Sequence, residues 1–189
     1  MSKSNEEPKH KSPMQEILSW VLTLTTALVI ALLLNAYVIK VAVVIGNSMY
    51  PTLHERDFLI VRQIGYTPTA GDIVLIDEEN NDYLSQKDIV KRVIAIEGQA
   101  VTIDYAANVV TVDGQVLSEP YINLESGDPM MPVSGKDYEE YTVPPGCIFV
   151  MGDNRNASTD SRSQLVGMIP AENVTGGLLL HIPLGKWLS

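Results

Sequence analysis

The chain has 189 residues, which suits one modest domain with a short appendage, and its 13 Lys and Arg against 23 Asp and Glu give a formal net charge of −10. So acidic a chain is poorly suited to bind a phosphate backbone, and we expect no nucleic-acid partner. One cysteine, Cys147, excludes a disulfide within the chain. The sequence has no CxxC, no HExxH and no cluster of Cys and His, so it predicts no metal site and no cofactor.

The N-terminal part of the chain has two contrasting segments. Residues 1–16 are polar and are predicted to form a disordered tail. Residues 17–39 carry no charged side chain, and a helix rising about 1.5 Å per residue over that length would cross a hydrocarbon layer of ~30 Å. Trp20 and Tyr37 stand near its two ends, as is typical of membrane interfaces. Lysines before the segment favour a cytoplasmic N-terminus and an extracytoplasmic remainder.

Two other interpretations of the apolar segment are a buried core helix and a cleavable signal peptide. A core helix is rarely apolar on all sides over this length. A signal peptide has a shorter apolar stretch that ends in an A-x-A-like site, which this segment lacks. We therefore predict a retained transmembrane helix at 17–39, followed by an extracytoplasmic domain at 40–189 on a cell membrane.

The remainder of the chain has the pattern of antiparallel β-structure. Short runs rich in Val and Ile recur, separated by Gly, Pro, Asn and Asp, and Asp113-Gly114 is a strong hairpin signal. Residues 125–140 contain several Gly and Pro residues and are predicted to form a long polar loop. The fold class we expect is mainly β, with a barrel-like or sandwich-like domain preceded by one N-terminal transmembrane helix.

The first segment with catalytic potential is GNSMYPTL, in which Ser48 follows a β-like run. A serine on a turn after a strand has an exposed hydroxyl and free backbone N–H groups nearby, which suits a nucleophile with its own oxyanion donor. Taken alone the signal is weak, because most Gly-x-Ser sequences are ordinary turns. His54 lies close by in the sequence, but a Ser–His–Asp site also requires a placed acid, and a surface histidine is the simpler interpretation.

The second segment is DIVKRVIAIEG, which places Lys91 and Arg92 side by side. On a strand, Lys91 shares a face with Ile89 and Val93, and burial among apolar neighbours lowers the pKa of an amine until it can accept a proton. Arg92 points to the other face and is predicted to form a salt bridge. The alternative is that Lys91 extends from a strand edge to solvent.

The third segment, GDNRNASTDSR, is a polar loop directly after the apolar run CIFVM. Its small hydroxyl side chains are candidates for orienting a lysine amine, and Asp160 is a candidate partner for a buried arginine. A solvated loop is the alternative interpretation.

Together these segments resemble the bacterial type I signal peptidases, membrane-anchored Ser–Lys proteases that remove signal peptides from exported preproteins. GNSMYPTL is similar to the nucleophile box of that family, GDIV to its next box, KRVIAIEGQ to its lysine box and GDNRNASTDSR to its last box. The boxes occur in the family's order behind a leading anchor, and the resemblance runs from about residue 17 to the C-terminus. A lysine rather than a histidine at the base position resembles the bacterial branch.

The resemblance implies a role for each matching position. It makes Ser48 the nucleophile and Lys91 the general base, without cofactor or metal. Ser158 would orient the lysine, and Asp160, Arg162 and Arg92 would form a charge cluster beneath the site. It also implies that signal-peptide-bearing preproteins dock beside membrane lipid and are cleaved after small residues, in an Ala-X-Ala-like pattern. The pocket-lining positions are occupied by Val44, Met49, Leu53, Ile89 and Val90.

Three positions depart from the family pattern. Gly46 stands where some members carry a serine that donates to the oxyanion, and Asn156 and Ala157 replace an acid and an amide in the last box. Two rival functions are a self-cleaving Ser–Lys protease and a non-catalytic paralogue that binds exported chains. The first would normally be soluble with a DNA-binding domain, and the intact Ser48 and Lys91 argue against the second.

Overall fold

The computed structural model describes residues 12–77, 88–122, 124, 129–133, 135 and 138–184. One helix, α1 (Pro13–Tyr37), is followed by a domain of eleven strands within those residues. The strands are β1 (Ile39–Val43), β2 (Phe58–Arg62), β3 (Ile73–Asp77), β4 (Asp88–Ile96), β5 (Ala100–Asp104), β6 (Val109–Val112), β7 (Gln115–Val116), β8 (Tyr138–Thr142), β9 (Cys147–Met151), β10 (Ile169–Pro170) and β11 (Val174–Ile182).

Helix α1 begins earlier and ends earlier than the apolar segment at 17–39. Ser12 caps it: the Ser12 hydroxyl accepts from the Gln15 N–H, and the Gln15 side chain accepts from the Ser12 N–H. Pro13 fits the first turn because its missing N–H would have no partner there. The prediction that residues 1–16 form a disordered tail is therefore wrong for 13–16, while 1–11 lie outside the described residues.

The C-terminal end of α1 leads directly into the β-domain. Val38 is the C-cap, and Ile39, predicted to end the helix, already opens β1 and pairs with Arg62 on β2. The β-branched residues that follow favour this change to extended backbone. Every side chain from Pro13 to Leu34 is exposed, so the helix packs its apolar surface on nothing in the described chain. By length and composition it is able to cross a membrane.

The strands form two antiparallel sheets. The larger has the order β1-β2-β11-β3-β4-β9-β10 and the smaller the order β7-β6-β5-β8. The predicted hairpin at Asp113-Gly114 joins β6 to β7, and both residues have the positive φ that such a turn requires, 48° and 76°. These sheets confirm the expected mainly β, antiparallel fold class.

The polar loop predicted at 125–140 is wrong at its C-terminal end, where β8 begins at Tyr138 and pairs with β5. Glu139 on β8 is buried, and its carboxylate accepts hydrogen bonds from Tyr105 (2.7 Å) and Tyr141 (2.5 Å). These hydroxyls satisfy a carboxylate that would otherwise be costly to bury. Several residues of the predicted loop lie outside the described part of the chain.

Candidate active site

Ser48 lies on the connection between β1 and β2. The two ends of this connection are joined by backbone hydrogen bonds from Val44 to Asp57 and from Arg56 to Val44, both 2.9 Å. Gly46 has φ +81°, a conformation that side chains disfavour, and this accounts for glycine there. Ser48 is half-buried, and its backbone N–H donates no backbone hydrogen bond within the described residues. The turn therefore presents both a hydroxyl and a free donor.

Lys91 reaches this hydroxyl from β4. Its Nζ lies 2.8 Å from Ser48 Oγ, although the two residues are far apart in sequence. Lys91 is 4% exposed, and burial lowers its pKa from 10.5 to about 8. The charge of Asp160 opposes this shift and that of Arg162 adds to it. Burial therefore leaves part of the amine neutral near pH 7, in the form that can accept a proton.

The loop from Gly152 to Arg162 packs directly against the Ser48 turn. The Asn154 N–H donates to the Ser48 carbonyl at 2.9 Å, and Asn154 Nδ2 donates to the Asn47 carbonyl at 3.2 Å. A Cβ on Gly152 would lie 2.5 Å from the Ser48 carbonyl oxygen and 2.3 Å from Ser158 Oγ, so only glycine fits. We call residues 152–162 the catalytic loop.

Asp160 and Arg162 form an ion pair inside this loop. Arg162 Nε donates to Asp160 Oδ1 at 2.8 Å, and both side chains are fully buried. Burial opposes the charge on Asp160, but the attraction of Arg162 and the Gly152 N–H outweighs it, so the pKa of Asp160 lies below its usual value. Asp160 therefore stays charged, and its negative charge opposes the effect of burial on the pKa of Lys91.

Arg92 forms a separate ion pair, with Asp153 rather than with Asp160. It donates to Asp153, from Nε at 2.8 Å and from Nη2 at 2.6 Å. Asp153 also accepts from Thr52 Oγ1 at 2.5 Å, which ties the Ser48 turn to the catalytic loop. The predicted salt bridge of Arg92 is thus formed, but with a partner that no sequence argument selected. Asp153 lies in the GDN sequence that opens this loop, and that position is the only sequence feature that indicates a role for it.

Ser158 lies next to Gly152 at the start of the catalytic loop, and no hydrogen bond joins it to Lys91 within the described residues. Its Oγ is buried beside Gly152, and its hydroxyl lies close enough to Asp160 to help lower the pKa of that carboxylate. Lys91 Nζ donates instead to Ser48 Oγ. An orienting role for Ser158 therefore stays a prediction.

The residues predicted to line the substrate pocket fall into two groups. Val44, Met49 and Leu53 are buried in one apolar cluster, and Val90 packs against it. Ile89 belongs to a neighbouring cluster on the other face of β4. Val44 precedes Ser48 and Met49 and Leu53 follow it on the same connection, whereas Ile89 lies on the face of β4 that carries Lys91.

The two departures in the last box have different environments. Asn156 accepts from the Met131 N–H at 2.8 Å and donates from Nδ2 to the Pro129 carbonyl at 3.1 Å. A carboxylate, such as the family's acid, could not make the second bond. Ala157 is exposed. Asn156 therefore makes use of its amide, and Ala157 has no contact that explains it.

The chain matches a family model described as signal peptidase, peptidase S26, over residues 17–182. It is 36% identical to a probable signal peptidase I-1 of Synechocystis sp., over 93% of this chain and 88% of that protein. It is 35% identical to signal peptidase I of Bacillus licheniformis, over 90% of each. A crystal structure of a signal peptidase I from Enterococcus faecalis V583 is 27% identical, covering 59% of this chain and 96% of that one, with a TM-score of 0.45.

The family match spans most of the chain and includes every segment that builds the site around Ser48. The protein is therefore a serine endopeptidase. The chain belongs to the signal peptidase family, peptidase S26, whose members remove signal peptides from preproteins.

Proposed function

We propose that the chain removes signal peptides through a Ser48–Lys91 pair, with Ser48 as nucleophile and Lys91 as general base. The observation that carries this proposal is the 2.8 Å separation of Lys91 Nζ and Ser48 Oγ at a buried lysine. With a pKa of about 8, roughly one amine in ten is neutral at pH 7, against about one in three thousand at 10.5. Burial thus raises the population of the competent base about three-hundredfold.

The pair would act in two stages. Neutral Lys91 takes the Ser48 proton as Oγ bonds to the scissile carbonyl carbon, and the Ser48 N–H donates to the resulting oxyanion. The C–N bond then breaks, and the Lys91 ammonium returns its proton to the leaving amine. In the second stage Lys91 takes a proton from a water molecule as the water oxygen bonds to the acyl carbon. The C–Oγ bond then breaks and the Lys91 ammonium returns the proton to Ser48 Oγ, which releases the signal peptide and regenerates Ser48.

Specificity for small side chains before the cut, in an Ala-X-Ala-like pattern, is the second part of the proposal. Val44, Met49, Leu53 and Val90 form a packed apolar support next to Ser48. A close-packed wall of this kind leaves shallow pockets that a larger side chain would overfill. Ile89 would contribute from the Lys91 side.

Membrane anchoring through α1 is the third part, with the N-terminus cytoplasmic and the β-domain outside. An exposed apolar sheet face supports lipid contact close to the helix. Its members share a face by strand register and are each at least 36% exposed: Val41 and Val43 on β1, Phe58 on β2, and Leu180 and Ile182 on β11. Since β1 follows α1 directly, this face would lie at the membrane surface and bring the site to substrates still held there.

Preprotein cleavage by the full-length chain in detergent tests the catalytic assignment. We expect Ser48→Ala and Lys91→Ala each to lose about 10³-fold in kcat/KM, within the range of catalytic-group deletions. Ser118→Ala and Lys40→Ala are the matched controls, because both residues are exposed or half-exposed and lie outside the site. Near-normal cleavage by either dyad variant would show that the mechanism is wrong.

A further inference from the structure

A short segment after β7 contacts the catalytic loop. Glu119 in this segment binds Arg155 of the loop through two hydrogen bonds, Nη1 to Oε2 at 2.9 Å and Nη2 to Oε1 at 2.6 Å. The side chains of Arg155 and Glu119 are only 1% and 6% exposed. A two-point contact of this kind fixes orientation as well as distance.

Arg155, like Asp160, joins the two ends of the catalytic loop. Its Nε donates to the Gly152 carbonyl at 3.2 Å, and its own carbonyl accepts from Arg162 Nη2 at 2.7 Å. The first contact is at the start of the loop and the second at its end. The buried guanidinium needs a counter-charge to stay in that position, and Glu119 supplies it.

Tyr121 connects the same segment to the other ion pair of the site. Its hydroxyl donates to Glu119 Oε1 at 3.0 Å, and the Arg92 guanidinium lies 3.8 Å from the centre of its ring. Stacking of this kind is favourable for arginine. Arg92 in turn holds Asp153, so the segment touches the loop both through Arg155 and through Arg92.

We infer that Glu119 and Tyr121 are positioning residues, which hold the catalytic loop against the Ser48 turn by fixing Arg155 and Arg92. The inference rests on the proposed roles of Ser48 and Lys91. Neither residue belongs to the apolar group of Val44, Met49, Leu53 and Val90, so we expect their effect on the alignment of the reacting groups rather than on substrate binding. A looser loop also admits water to Lys91, whose lowered pKa depends first on burial.

The test measures kcat and KM over pH 6–10 for Glu119→Gln and Tyr121→Phe in the full-length chain. For Glu119→Gln we expect kcat per folded molecule to fall about tenfold, with KM within about twofold, since small misalignments act on the chemical step. The pH of half-maximal kcat should rise by about half a unit or more, toward the ordinary pKa of lysine. For Tyr121→Phe we expect kcat to fall by about two- to threefold, with a pH shift in the same direction. Glu119→Asp should recover part of the loss in kcat.

A second tyrosine–glutamate pair with the same spacing provides the controls. The Tyr138 hydroxyl donates to Glu140 at 3.1 Å, but both residues are exposed and lie on β8. Tyr138→Phe and Glu140→Gln should leave kcat and the pH midpoint unchanged.

Unchanged kcat and pH midpoint per folded molecule in Glu119→Gln would overturn the inference and leave Glu119 a purely structural residue. If that variant does not fold, the same null result in Tyr121→Phe overturns it. Retained cleavage by Ser48→Ala or Lys91→Ala would instead refute the proposed function, so the two failures are distinguishable.

Discussion

The two faces of β4 carry neighbouring cations, the buried Lys91 and the half-buried Arg92, that the protein treats in opposite ways. On one face, Lys91 forms no salt bridge within the described residues, and burial lowers its pKa to about 8. On the other, burial also opposes the charge of Arg92, but two hydrogen bonds to Asp153 and its negative charge outweigh burial and raise the pKa of Arg92.

The difference teaches that burial alone does not decide what a cation does. A lysine without a bound carboxylate can lose its proton, which suits a general base. An arginine in a two-point pair keeps its charge and acts as a structural tie. Each face can be tested by exchanging or removing its charged group.

The largest expected effect comes from giving Lys91 the chemistry of its neighbour. Lys91→Arg keeps the positive charge, but a guanidinium does not deprotonate in proteins, so it cannot accept the Ser48 proton. We expect kcat/KM for preprotein cleavage to fall by about 10³-fold. Arg92→Lys, the reciprocal exchange, keeps a cation next to Asp153 and should cost far less. If Lys91→Arg retained more than a tenth of the activity, proton transfer to Lys91 would be excluded.

The second test breaks the ion pair on the Arg92 face. Asp153→Asn keeps the size of the side chain but leaves Arg92 without its counter-charge, and the Asp153 side chain is 1% exposed. We expect the free energy of unfolding to fall by about 3 kcal/mol, as for other buried pairs that lose one partner.

Asp88→Asn is the matched control for that measurement, because Asp88 is also on β4 but pairs with Lys40 at the surface. Their side chains are 39% and 33% exposed, so the loss should be at most about 1 kcal/mol. Equal losses in denaturant unfolding of the two variants would show that burial does not strengthen the Arg92 tie.

Much of this fold could be predicted from the sequence, because its strands are marked by runs of Val and Ile and its turns by Gly and Asp. The alternation of side chains on β4 already separated Lys91 from Arg92. Strand β8 could not be predicted in this way, because its inward residue is Glu139, a charge that two tyrosine hydroxyls satisfy. The start of α1 was missed because it depends on the Ser12 cap rather than on hydrophobicity.

The candidate site was less accessible to sequence reasoning alone. Ser48 and Lys91 were each unremarkable by themselves, and it was the resemblance to a family that joined them. Which acid pairs with which arginine depends on how the loops fold over the sheet, so Asp153 and Asp160 were not separable in advance. The contact of Glu119 with Arg155 joins segments far apart in sequence and left no local pattern.

The smallest expected effect is a pH dependence of stability that belongs to the Lys91 face alone. The pKa of Lys91 is about 8 in the folded chain and 10.5 when it is unperturbed. Between these values the unfolded chain binds more protons than the folded one, so the contribution of Lys91 to stability rises with pH. The contribution rises by about 2 kcal/mol from pH 7 to pH 9.5. Below pH 7 the contribution of Lys91 is nearly constant.

Unfolding of the wild type and of Lys91→Met at several pH values isolates this contribution. The variant has no group to titrate there. The free energy of unfolding of the variant minus that of the wild type should therefore be about 2 kcal/mol larger at pH 7 than at pH 9.5. Other groups, including tyrosines such as Tyr105 whose pKa burial raises, are common to both chains and cancel in the difference. A difference that does not change with pH would mean that Lys91 keeps an ordinary pKa in the folded chain, and the contrast between the two faces of β4 would then rest on geometry alone.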